Sequence, residues 1–223
     1  MTMTNAAAGL PPETVARMFT RADGSYAFAR WGRPIVPVVF GVDDATLSVV
    51  KGAIEAVVAL AGHKMAETDP EIGANVMIFF LRDWDELLSV PDLGRMIDGL
   101  DALVARLKAR GANQYRTFRF DAEGAIKACF GFCRLDAALA ALPADTVALS
   151  MAVQTMLSWS DGAFADVAPL AEAKGRAVLR PEIAALLQAA YAPTMPAVAR
   201  DPSHALRLAA RIALATARTE EDE

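Results

Sequence analysis

Ser150, Gln154 and Asp161 stand at offsets of four and eleven along a largely apolar stretch. If one helix runs through all three, they form a line on one face. A hydroxyl, an amide and a carboxylate in line can hold a small polar ligand. They can also be structural, with Ser150 bonded back to its own helix and Gln154 to a strand or loop backbone, because buried polar groups require partners. Cys129 follows Lys127 on an extended run, and a thiol near a cation can become a nucleophile; packed as a small hydrophobe it is inert. Trp31 between Arg30 and Arg33 offers an aromatic and basic contact for an anion, or else the indole covers a sheet edge while the arginines stack or pair with acids.

Metal chemistry finds no foothold in the spacing. The two histidines, His63 and His204, are far apart, and neither has a second ligand at metal-site spacing. His63 follows a predicted helix end, where the dipole favours it, and His204 falls in the first turn of the last predicted helix. Gly9, Gly24, Gly32 and Gly41 match neither a phosphate loop nor a nucleophile elbow. No metal or cofactor is expected.

The elements that must position these residues follow from periodicity. A short helix is predicted over 13–21, and a strand over 35–41 whose Pro34 and Pro37 place it at a sheet edge. Leu47, Val50, Ile54, Val57, Val58 and Ala61 repeat at helical spacing between an Asp43 or Asp44 cap and Gly62. The continuous apolar run Asn75 to Leu81 suits a strand covered on both faces, at the sheet centre. Asp83 and Glu86 form a capping-box pattern for a short helix to Ser89, and Asp92 caps a helix running to Arg110. Tyr115 to Phe120 and Ala125 to Cys133 flank a Gly-ended connection and read as a hairpin. Strict alternation there puts Ile126, Ala128, Phe130 and Phe132 on one face. Cys129 and Cys133 lie too far apart on the strand for a disulfide. The remainder reads as helical: 146–159 with Asp145 as cap, 181–191 opened by Pro181, and 203–218 opened by Asp201 and Pro202.

Strand, helix, strand, helices, hairpin and then a buried helix is an order that resembles the zincin-like metallopeptidase architecture. Arg30-Trp31-Gly32-Arg33-Pro34, the Asp69-Pro70 to Phe80 segment with Ala74-Asn75, the Cys129 strand and Ala190-Tyr191-Ala192-Pro193 resemble a bacterial family with a degenerate zincin-like domain of unknown function. The resemblance covers Arg30 to Pro196. It implies an α+β fold with a mixed sheet of about four strands and a helical C-terminal portion. In the place of the protease motif it implies a Glu-Glu-x-x-Gln type string followed by an Asp. Here Ser150 and Met151 stand at the two acidic positions, while Gln154 and Asp161 agree. A zincin needs two imidazoles four apart and a glutamate to activate the bound water, and this chain has neither. The resemblance therefore implies a non-catalytic pseudo-metallopeptidase acting as a binding or structural module. The alternative is a non-metal enzyme or small-ligand binder using a polar pocket near Ser150, Gln154 and Asp161.

Composition narrows the partners. With 223 residues the chain is expected to form one α+β domain over 13–218, between a disordered lead-in at 1–12 and an acidic tail at 219–223. A net charge of -5 argues against a general nucleic-acid binder, which needs a cationic surface. Although 54% of residues are hydrophobic, no run is long enough to span a bilayer. The N-terminus lacks the basic and apolar parts of a secretory signal, and with two unpaired thiols a cytoplasmic location is expected. A protein partner or a small polar ligand is the expected companion, and the high apolar content also admits a homo-oligomer.

Overall fold

The computed structural model describes the backbone of residues 9–221 and the side chains of residues 9–215. Its elements in chain order are α1 (Pro12–Phe19), β1 (Phe28–Ala29), β2 (Pro37–Phe40), α2 (Asp44–Leu60), β3 (Val76–Leu81), a 3-10 turn (Trp84–Ser89), α3 (Leu93–Met96), α4 (Leu100–Ala109), β4 (Gln114–Phe120) and β5 (Ile126–Arg134). There follow α5 (Ala137–Ala140), α6 (Ala144–Met156), β6 (Leu170–Ala173), β7 (Arg176–Leu179), α7 (Pro181–Tyr191), β8 (Val198–Ala199) and α8 (Ser203–Glu221).

The main sheet has four strands in the order β2-β3-β5-β4. β2, β3 and β5 run parallel, and β4 is antiparallel to β5. The apolar run of β3 lies in the interior of the sheet, and the proline-bearing β2 at one edge, as chain chemistry requires. Period-two alternation then divides the core. Val76, Ile78 and Phe80 join Cys129 and Cys133 on one face with α1, α2, α6, α7 and α8. Phe79, Leu81, Ala128, Phe130 and Phe132 face α4 and the 3-10 turn on the other. Helices thus cover both faces of a mixed sheet.

Several boundaries depart from the sequence expectation, each for a visible reason. The helix expected from Asp92 to Arg110 is broken into α3 and α4, because Ile97 turns extended and Gly99 takes φ 68°; Asp92, at φ 60°, makes no side-chain cap. The alternation of β5 slips at Lys127: Ile126 pairs with Phe120 and Ala128 with Arg119, a bulge that turns Ile126 to the Cys129 face. The stretch after β5 is not wholly helical, since β6 and β7 form an antiparallel hairpin turning at Lys174 and Gly175. β1 and β8 make a second small ladder. Residues 1–8 and 222–223, which hold most of the expected lead-in and the end of the expected tail, lie outside the described residues. Leu10, in that expected lead-in, is buried, and Gly9 packs against Ile212.

α6 is the element that matters most for the site. Val147, Ala148, Met151, Ala152, Val153, Thr155 and Met156 are all buried, so it is enclosed on nearly every side. Gly131 of β5 permits the close approach: a Cβ there would meet the Met151 methyl at 3.1 Å. The helix stops at Met156, short of the Trp159 expected from sequence, and Asp145 does not cap it. Leu157 turns extended, bridges Arg30, and is followed by Ser158, whose Oγ accepts the Ala29 N–H at 2.7 Å. Three ring donors satisfy the last-turn carbonyls: Trp159 Nε1 donates to Val153 O, Trp31 Nε1 to Thr155 O, and Tyr191 Oη to Met156 O. These are the groups a helix C-terminus would otherwise leave unpaired inside the core.

Candidate functional site

Ser150 and Gln154 form the half-open strip of the otherwise enclosed α6. The Gln154 amide is held at both ends. Its Oε1 accepts from Arg116 Nη1 at 2.8 Å, and its Nε2 donates to Gln114 Oε1 at 3.0 Å and to Ser150 Oγ at 3.2 Å. Gln114 and Arg116 alternate on one face of β4, so the pleat aims both at α6. Side-chain amide and guanidinium therefore bridge the helix and the sheet's antiparallel edge. The Arg134 N–H bonds to Asn113 O across the β4–β5 pair, so the N–H and C=O groups of Gln114, Arg116 and Phe118 face away from β5 along that edge.

Asp161 is not on the helical line, because α6 ends before it, yet the turn carries it to the same place. It lines a cleft of about 440 Å³ with Gln114, Tyr115 and Arg116 of β4 and Arg106 and Arg110 at the end of α4. It also lines an adjoining cleft of about 460 Å³ with Arg17, Arg21, Ser160 and Asp166. Arg21 donates to Trp159 O at 3.0 Å and Ser158 O at 2.9 Å, and Arg116 to Ser160 O at 3.2 Å. Two guanidinium groups thus brace the Ser158–Ser160 turn through neutral carbonyls. Burial pushes the pKa of both arginines down, opposed at Arg116 by Cys129 and Asp161 and at Arg21 by Asp161. Among the described residues Arg116 makes no ion pair with a carboxylate, and its Nε is buried without a partner.

The other expected site residues separate from this cluster. Cys129 is fully buried, and burial pushes its thiol to about 12, so the thiolate needed for attack is not populated near neutrality. Trp31 is fully buried as an α6 cap. Arg33 pairs with Asp69 at 3.4 Å and Glu71 at 3.0 Å at the far edge of the sheet. The histidines are structural: His63 Nε2 lies 2.9 Å from Arg33 O, and buried His204 holds Tyr26 Oη at Nδ1, 2.9 Å away. Burial lowers the His204 pKa to about 4, so it is neutral at physiological pH. Among the described residues no cluster of three His, Cys, Asp or Glu side chains is placed to hold a metal.

Sequence reasoning missed Arg116 and Gln114, the partners of Gln154, and the arginines at 17, 21, 106 and 110. Alternation of the β4 strand could have placed Gln114 and Arg116 on one face. Nothing in the chain order could bring Arg21 and Arg106 to the same turn. Comparisons with family models, with curated proteins and with solved structures each found no match to this chain.

Proposed function

We propose that this protein is a non-catalytic, zincin-like binding module in which the helix that would carry a protease motif has become a structural brace. The observation that carries the reading is Gln154, fastened to Arg116, Gln114 and Ser150 across the gap between α6 and the antiparallel edge strand. In a zinc peptidase that gap holds the metal and the water it activates. Here an amide and a guanidinium occupy it, and neither belongs to the Cys, His and carboxylate set that zinc takes. The topology supports the reading, with an edge strand antiparallel to a parallel set and followed by an enclosed helix. A cytoplasmic location suits its two unpaired, buried cysteines. No helix among the described residues is long and apolar enough to cross a membrane.

Native mass spectrometry after incubation with zinc, paired with a mixed-peptide cleavage assay, tests the proposal. The expected result is no stoichiometric metal adduct and no cleavage. One zinc per chain together with peptidase activity would overturn it. A second reading, a small-ligand binder, draws on the clefts that meet at Asp161, which lie in the size range of ligand sites.

A further inference from the structure

The five arginines lining the two clefts, against two aspartates, give this region a positive balance on a chain whose net charge is -5. Three of them, Arg106, Arg110 and Arg116, converge on one cleft from two different elements. Their hydrogen-bond partners inside the protein are neutral or absent, and Asp161 acts on Arg116 only through space, without an ion pair among the described residues. Arg116 meets an amide oxygen and a carbonyl, and its Nε is buried and unpaired. Arg106 reaches the Tyr115 hydroxyl at 3.4 Å and stands over that ring, 5.9 Å from its centroid. Arg110 has no side-chain partner among the described residues. A half-buried guanidinium desolvated by the fold and not neutralised by it is a site short of a negative charge. Guanidinium forks suit carboxylate and phosphate oxygens, which they bind two at a time.

We propose that the cleft between α4 and β4 binds a small organic polyanion, with one oxyanion group on Arg116 and a second on Arg106 and Arg110. The proposal rests on the small-ligand reading of the Asp161 region and gives that ligand a chemical class. Asp161, exposed and without an ion pair among the described residues, lines the same cleft and opposes anions there. It therefore acts as a filter, favouring ligands with enough charge to engage all three arginines.

Titration calorimetry at low salt with citrate and, separately, with inorganic phosphate reads the site directly. Citrate is expected to bind one to one, and phosphate, with a single oxyanion centre, at least about tenfold more weakly. Arg116→Gln should weaken citrate binding by at least about tenfold, and Arg110→Gln, at an exposed position that cannot disturb the core, by about threefold. Asp161→Asn should strengthen it by about threefold, and Arg95→Gln, exposed and outside the cleft lining, should leave it unchanged. Absence of citrate binding, phosphate binding as tight as citrate, or an unchanged Arg110→Gln isotherm would each overturn the proposal. A parallel titration with a neutral polar ligand, glucose, tells the two failures apart: glucose bound where citrate is not would overturn the polyanion class and leave the small-ligand reading standing.

Discussion

Two charged clusters flank the sheet, and they are built to opposite rules. Beside β2, only 2% of the Asp69 side chain is exposed, and every oxygen is answered: Oδ1 accepts from the Glu71 and Ile72 N–H groups, Oδ2 from Asn75 Nδ2 at 3.0 Å and from Arg33. Fully buried Asn75 also donates to Pro34 O and accepts from Val36 N, and Glu71 links Arg33 to Lys127. Beside β4, Arg116 and Arg21 are held by amides and carbonyls alone. The first cluster closes on itself and ties β2 to the start of β3. The second keeps its charge available. A cross-brace and a binding site can use the same residue types, and what separates them is whether each charge meets its opposite within the fold.

The difference is open to direct attack. The largest effect is expected at Asn75→Leu, which strips partners from Asp69, Val36 and Pro34 at once. It should cost about 3 kcal/mol and lower the calorimetric melting temperature by roughly 6 to 12 °C. A loss well under 1 kcal/mol would mean the β2 cluster is not a brace. Arg33→Gln should cost somewhat less, about 2 kcal/mol in urea unfolding, since hydrogen bonds still support the buried Asp69 carboxylate.

Acid unfolding sharpens the contrast further. Burial acts to raise the Asp69 pKa, but the Glu71 N–H, the Asn75 amide, the Ile72 N–H and the Arg33 charge outweigh it and hold the carboxyl below its usual range. A depressed carboxylate contributes its full stability above its unfolded pKa of about 3.9 and loses it as pH falls through the lower folded value. Urea midpoints measured from about pH 6 to pH 2 should therefore fall along that limb, and Asp69→Asn should flatten part of the fall. On the β4 side, Arg116→Gln should change stability by no more than about 1 kcal/mol while weakening anion binding by at least about tenfold, because it removes a charge the fold does not neutralise. A large loss of stability there would show that the Arg116 charge is spent on the brace between α6 and β4 and is not kept for a ligand. The smallest effect is expected at the thiols beneath the cleft. With Cys129 pushed to about 12 and Cys133 to about 11 by burial, native protein at pH 8 should take up almost no iodoacetamide until unfolded. Rapid labelling of Cys129 would show that the cleft opens through to β5.

How much of this could be read from the chain depends on how local each cause is. The capping box at Asp83 and Glu86, the Asp43 cap and the Pro181 helix start are decided within a few residues, and all three form. The β3 run was recognisable as a buried strand because its composition already demands cover on both faces. By contrast, the end of α6 at Met156 depends on Ala29 and Arg30 pairing with the residues after it, and on rings from Trp31 and Tyr191, none of them neighbours in sequence. The bulge at Lys127 and the break at Gly99 each shift a periodic pattern by a step that periodicity alone cannot register.

By itself the sequence determined a mixed α and β chain with a four-strand sheet, an enclosed helix at residue 150, and no zinc-peptidase ligands, because periodicity, caps and residue chemistry are carried by the residues themselves. Only the tertiary structure decided that Gln154 belongs to Arg116, that Asp161 lies off the helix yet beside it, and that arginines from α1, α4 and β4 line clefts meeting at one turn. Those decisions are made by contacts between residues that are distant in the chain, and the charge left unmatched among them exists only after the chain has folded.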